Sequence, residues 1–371
     1  MELERGKINN LHLTFLIIGF TFGSSVIISP GKGAGQDTWL AILAGLAEGL
    51  IFAWIFFTLA VKFPGKNIIQ INEVVFGVFT GKVISLLYLW YFFHLGSLVL
   101  RNFGDFFTSL IYFQTPLVVI IGLTAILAAS AVRNGIEVIA RCSLVLVPIT
   151  IFAFIFDTVF LLPETEITRL LPILELPPKD FLKSSHSAAT FPFGETVAFL
   201  MITSSLNKNS ISSMKKFALG GIIIAAIFFI MAAIRNAAVL GGTAEISLYP
   251  SYVAIQLIEV AEILSRLEVA VSFPIFIMGF LKISVLYYSA VVGSAQILGL
   301  RSYLPLVLPI GTIMVVLSIT QFATAVENII WATDIYPFYS LPFQLIFPLL
   351  ALIAAIFKQS KAGAKKAGEA Q

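Results

Sequence analysis

"FPFGETV", residues 191–197, interrupts an otherwise apolar stretch. Pro192 removes a backbone donor and crowds the preceding helical turn. Gly194 weakens a helix further. Glu195 is expensive inside hydrocarbon. A chain crossing a bilayer would place these three residues together only where its helix is meant to break. A second break stands near the start of the chain, in "GFTFGSSVIISPG", residues 19–31. Gly19, Gly23, Ser24 and Ser25 fall within the first apolar segment, and Pro30–Gly31 end it.

Composition places both breaks in a membrane. The 371 residues are 58% hydrophobic and 12% charged, against about 45–50% apolar and 25% charged in soluble domains. Mean hydropathy is +0.98. The single cysteine, Cys142, excludes an internal disulfide and a multi-cysteine metal site. His12, His94 and His186 form no ligand motif, and a net charge of +3 gives no footprint for nucleic acid. The first apolar stretch lacks a signal-cleavage pattern and reads as a first span.

A helical span needs about 20 apolar residues. Ten segments qualify: about 10–29, 39–61, 83–106, 116–132, 142–162, 186–205, 216–240, 267–292, 303–323 and 336–357. The short alternating segments of a barrel are missing. Most of the 23 Lys and Arg residues, from Arg5 and Lys7 through Lys62, Lys66 and Lys215 to Lys366, fall on one side. The positive-inside rule then puts both termini in the cytoplasm. The expected organisation is one integral membrane domain over 1–371, with repeats at about 10–162 and 186–357. Residues 358–371 read as a flexible basic tail at the membrane surface. Residues 163–185, with four prolines, read as an outer cap. Residues 250–266 read as an amphipathic outer helix and 66–80 as a shorter inner one.

The breaks fall in spans one and six of ten, so they correspond in two halves of five spans. Five is odd, and the halves must have opposite topology. Corresponding interruptions point to a transporter-type site, because unpaired backbone groups cannot face lipid but can line a cavity. Half-helix N-termini suit a carboxylate, and carbonyl ends suit an amine. An α-amino acid carries both groups. Each break taken alone is equally compatible with helix packing through small residues.

Charged residues inside the spans add candidates. Glu195 opens the second half of span six, where it either holds the break structurally or carries a proton coupled to ligand. Lys282, in "IMGFLKISVLYY", lies too deep in span eight to snorkel easily. It pairs with a carboxylate, stands where related symporters hold a cation, or sits nearer the cytoplasm than the count suggests. Arg101 and Asp105 are spaced to pair on one helix face. Arg235 and the pair Arg266–Glu268 read as outer anchors or interhelical salt bridges. Tyr91 and Leu95 of span three, with Ser284 and Tyr287 of span eight, are candidate lining.

Taken in order, "FPFGE", "AIRNAAVLGG", "LYPSYVAIQLIEVAEILSRLEV" and "FLKISVLYYSA" resemble the B subunit of GerA-type spore germinant receptors, of the amino acid–polyamine–organocation superfamily. The resemblance runs through essentially the whole chain. It implies an all-α, LeuT-like fold of ten transmembrane helices, a five-plus-five inverted repeat with broken first and sixth helices. It implies a sensor in the spore inner membrane, with both termini on the core side, A-type and C-type subunits as partners, and a small germinant, often an amino acid, at the breaks. By position the site would comprise Gly23, Ser24 and Ser25, then Phe193, Gly194 and Glu195, with Ser284 or Tyr287 from span eight. No acidic cluster near Gly23 or Ser284 announces sodium, and no cofactor is implied. Two functions remain: a receptor subunit, which needs differential affinity between two states, and a proton-coupled amino acid transporter working through Glu195 or Lys282. An enzyme finds no support, for no nucleophile–base, paired-carboxylate or metal motif is present.

Overall fold

The computed structural model describes residues 6–258 and 267–368, with side chains described for 6–258 and 272–358. The described residues are almost entirely helical. Backbone polar groups in hydrocarbon must be satisfied within their own segment, and helices do this. One isolated parallel bridge joins Ile8 to Leu206.

Span one is the helix Asn10–Phe22, which tightens into a 3₁₀ turn over Gly23–Val26. Span two is Thr38–Lys62, span three Val78–Leu110, span four Leu117–Arg133 and span five Ile136–Phe160. Span six is assembled from Pro178–Ala188, a wide π turn at Ala189–Phe193 and a tight 3₁₀ stretch at Gly194–Met201. Span seven is Met214–Leu240, span eight Leu267–Ile297 and span nine Leu304–Thr320. Span ten runs from Ala325 through two π turns, Trp331–Ile335 and Pro342–Ile346, to a last helix, Phe347–Gly368.

Several boundaries move from the sequence reading; span six begins at Pro178 rather than 186 and span three at Val78 rather than 83. Span five begins at Ile136 rather than 142. Span ten begins at Ala325, eleven residues before the expected 336. The expected flexible tail from 358 is helical as far as Gly368, and Lys358 Nζ donates to the Val74 carbonyl at 2.9 Å. Of the amphipathic outer helix, Pro250–Ile255 is present. Residues 259–266, with the Arg266–Glu268 pairing, lie outside the described residues. The inner helix expected within 66–80 is Ile68–Phe76, capped by Asn67 and Gln70.

Contacts between helix ends agree with the alternation of ten spans. On the side of the N-terminus, Ile8 N–H donates to the Ser205 carbonyl at 3.0 Å, and Asn67 Nδ2 donates to Gln296 Oε1 at 2.7 Å. On the opposite side Lys183 pairs with Asp334 at 2.8 Å, and Asp37 accepts from the Leu174 amide at 2.8 Å. Span eight is the axis of the bundle, with most of Ser272–Ile297 buried, whereas span five leaves most of its residues exposed or half-buried and faces outward. Span eight packs on spans three, four, five and one, and spans two and seven pack together. Both breaks therefore meet span eight at its middle.

Candidate functional site

At the first break the helical ladder ends when Gly23 N–H bonds to the Gly19 carbonyl. The Ser24 carbonyl then takes two amides, Ile27 at 3.0 Å and Ile28 at 2.8 Å. Gly23 is required here for close approach, because a Cβ would run into the Lys282 side chain. At the second break Phe191 leaves the helix, with φ −126° and ψ 109°. The Thr190 carbonyl freed by this excursion accepts from Gln344 Nε2 at 3.0 Å. Gly194 lets Gln344 come close in the same way. Span ten thus supplies a donor to a span-six carbonyl that the break leaves free.

Lys282 sits fifteen residues from either end of span eight, about 22 Å along the helix, and is fully buried. A place near the cytoplasmic end is excluded. Its ammonium meets Glu195 Oε2 at 2.5 Å and donates to Ser24 Oγ at 3.0 Å. The Phe191 and Phe20 rings lie 4.9 and 5.3 Å from it. Glu195 accepts from Tyr336 OH at 2.8 Å on its other oxygen. Tyr336 shares a 2.8 Å hydrogen bond with Tyr91, to which Gln344 Nε2 also donates at 2.8 Å. One buried network therefore joins both breaks to spans three, eight and ten.

Beside the network lies a cavity of about 20 Å³, room for little more than one water. Ser24, Leu95, Phe191, Glu195, Trp331 and Tyr336 are among its walls. Of the sequence candidates, Gly23, Ser24, Glu195, Lys282, Tyr91 and Leu95 come together here. Gly194 abuts this group through Gln344. Phe193 turns instead toward Gly49 and Phe229. Tyr287 OH donates to the Val307 carbonyl in span nine. Ser284 is buried with an unpartnered hydroxyl, and Ser25 lines a different cavity. Sequence reasoning missed Phe191 and the whole of span ten: Trp331, Tyr336 and Gln344. A signal existed in "TDIYPFYSLPFQ", residues 333–344, where two prolines and a lone amide interrupt an apolar run.

On the side opposite the N-terminus a cavity of about 380 Å³ opens between spans six and ten, lined by Lys32, Lys183, Ser184 and Asp334. Ile329, Ile330 and Thr333 line it from one turn of span ten, and Trp331 and Ala332 line the midplane cavity from the same turn. Lys32 donates to the Ser247 carbonyl at 2.9 Å, and partial burial lowers its pKa.

Two solved structures share this architecture along nearly their full length. One is Mhp1, a nucleobase-cation-symport-1 family transporter, in a closed conformation with bromovinylhydantoin bound. Its TM-score is 0.64 at 13% identity, over 95% of this chain and 91% of that one. The other is MhsT in complex with L-phenylalanine, at a TM-score of 0.65 and 14% identity, over 96% of both chains. The protein is an all-α membrane protein of the LeuT-like class, a five-plus-five inverted repeat with its first and sixth helices broken. A family model described as "Spore germination protein" matches residues 7–326. Spore germination protein KB of Bacillus subtilis (strain 168) is 31% identical over 374 residues, all of both chains. Spore germination protein YndE of the same organism is 25% identical over 172 residues, 45% of this chain and 47% of that one. The chain belongs to the spore germination protein family, in which it resembles the B subunits of GerA-type receptors.

Proposed function

We propose that this protein is the germinant-sensing subunit of a spore receptor. It binds a small molecule of the amino acid class in the midplane cavity and passes its conformation to A-type and C-type partner subunits. Its place is the spore inner membrane, with both termini on the core side. The observation that carries this reading is the meeting of the two breaks, where Ser24, Glu195, Lys282 and Tyr336 offer an anion, a cation and hydroxyls beside one small cavity. An amino acid's carboxylate suits Lys282 and Ser24, and its ammonium suits Glu195. In this conformation the protein's own ion pair takes both places. Binding therefore exchanges internal contacts for ligand contacts, and that exchange supplies the differential affinity a two-state sensor needs.

The second reading, a proton-coupled amino acid transporter, is favoured by the fold shared with Mhp1, a nucleobase-cation-symport-1 family transporter. Two measurements test these readings. Purified protein is screened by thermal shift against the free amino acids; at least one is expected to raise the melting temperature, and Glu195→Gln to abolish the rise. A flat screen refutes the site. Saturable uptake of that amino acid by proteoliposomes holding this chain alone would replace the sensor with the transporter.

A further inference from the structure

Ser24 and Ser25 are consecutive, so their side chains leave the unwound stretch in different directions. Ser24 serves the midplane network. Ser25 lines a second cavity of about 60 Å³ in the outer half of the bundle, among spans one, five, seven and eight and the short helix Pro250–Ile255. Its walls are largely apolar and include the rings of Phe22, Phe154, Phe228, Phe229 and Tyr252.

Two opposite charges line this cavity and act on each other through space, but among the described residues neither makes an ion pair within 4.0 Å. Arg235 is 6% exposed, and its hydrogen bonds go to neutral groups. Its Nε and Nη2 donate to Asn236 Oδ1 at 3.1 and 3.0 Å, and Nη1 donates to Thr158 Oγ1 at 3.3 Å. The guanidinium lies 5.1 Å from the Phe154 ring. Three of its N–H donors are thus engaged, and a guanidinium has five. Asp157 is 7% exposed and lines the same cavity. Among the described residues it makes no ion pair within 4.0 Å, with Arg235 or any other cation. Of the two sequence readings of Arg235, an outer anchor or an interhelical salt bridge, the salt bridge does not form among the described residues. The Ser25 hydroxyl is also unsatisfied, at 4% exposure. Buried charges are costly unless matched, and a buried hydroxyl without a partner adds to that cost. In the midplane site, by contrast, Lys282 and Glu195 satisfy each other.

We propose that this outer cavity is a second binding site, for a zwitterionic amino acid with an apolar side chain. The carboxylate pairs with the free donors of Arg235, the fork geometry that suits a guanidinium. The ammonium pairs with Asp157 and the Ser25 hydroxyl, and the side chain lies among the phenylalanines. Occupancy pins the stretch at residues 23–26, which also forms one wall of the midplane site, so the two sites are linked through two neighbouring serines.

The test is equilibrium binding of tritiated L-phenylalanine to the purified full chain in nanodiscs. Wild type is expected to bind saturably. Arg235→Met and Asp157→Asn are each expected to weaken that binding at least about tenfold, the loss of one charge-assisted contact. 3-Phenylpropionate, which lacks the amine, and phenethylamine, which lacks the carboxylate, are expected to compete at least about tenfold more weakly than L-phenylalanine. Absence of saturable binding in wild type overturns the proposal. So does binding that survives Arg235→Met and is lost with Lys282→Met, which would put the probe in the midplane site. Should Arg235→Met fail to fold, Ser25→Cys in a Cys142→Ala chain reads the same cavity: L-phenylalanine is expected to slow maleimide labelling at residue 25, and an unchanged rate overturns the proposal.

Discussion

Replacing one partner of the Lys282–Glu195 pair strands the other in the centre of the bundle. In Glu195→Gln the lysine ammonium keeps Ser24 at 3.0 Å and two aromatic faces, but no countercharge remains among its contacts. In Lys282→Met the carboxylate keeps only the Tyr336 hydroxyl at 2.8 Å. Breaking a buried pair from one side costs about 3–5 kcal/mol, whereas replacing both partners with neutral groups of similar volume is often near neutral. The double variant Lys282→Met/Glu195→Gln is therefore expected to be more stable than either single one, with a coupling energy of up to about 3 kcal/mol. Each single variant is expected to lower the melting temperature of detergent-purified protein by on the order of 10 °C. All four proteins are compared at one heating rate, since unfolding of a chain this long is not a two-state equilibrium. Single variants that melt with wild type, or single effects that simply add in the double, would refute the claim that these charges hold each other.

Three further outcomes are expected from the same coordinates. Gly194→Ala drives a methyl into the Gln344 amide and should cost about 1–3 kcal/mol by overpacking; the cost should shrink in a Gln344→Ser background, and an equal cost in both would move the clash elsewhere. Arg101 pairs with Asp105 at 2.8 Å, and its Nη1 donates to the carbonyls of Ser318, Ile319 and Phe322 at the end of span nine. Arg101→Ala should cost roughly 3–5 kcal/mol and Arg101→Lys should recover only part of it, because an ammonium lacks the fork; full rescue by lysine, read as melting temperature, would contradict this. Lys183–Asp334 is half-exposed, so Asp334→Asn should change stability by about 0–1 kcal/mol, and high salt should erase the difference; a salt-independent loss would show a buried role.

The architecture was legible because hydrocarbon leaves a chain few options. Ten apolar stretches, and Pro192 and Gly194 inside span six, each report on backbone hydrogen bonding in lipid. Arg101–Asp105 was legible for the same local reason, since four residues make one helical turn. Boundaries were less so. Span ten opens with Ala325–Ile330, whose Glu327 is bonded back to the Ala323 amide and capped by Thr324. A hydropathy count reads that glutamate as loop, and it placed Tyr336 at the membrane surface when it lies three turns deep.

That displacement explains most of what was missed in the site. Tyr336 and Gln344 come from the opposite end of the chain to Ser24, and only the packing of span ten against span six brings them together. Nothing local to either stretch announces the pairing. The same limit separates Ser24 from Ser25. In sequence they are one dipeptide at one break, and the reading gave them one role. In the folded chain a tight turn aims one at Lys282 and leaves the other unpartnered beside a cavity with Arg235 and Asp157. A helix break fixes that backbone groups are freed, and it does not fix which neighbours receive them. Those neighbours follow from long-range packing about span eight, where a lysine at the helix midpoint needs a countercharge from another span and finds it at Glu195.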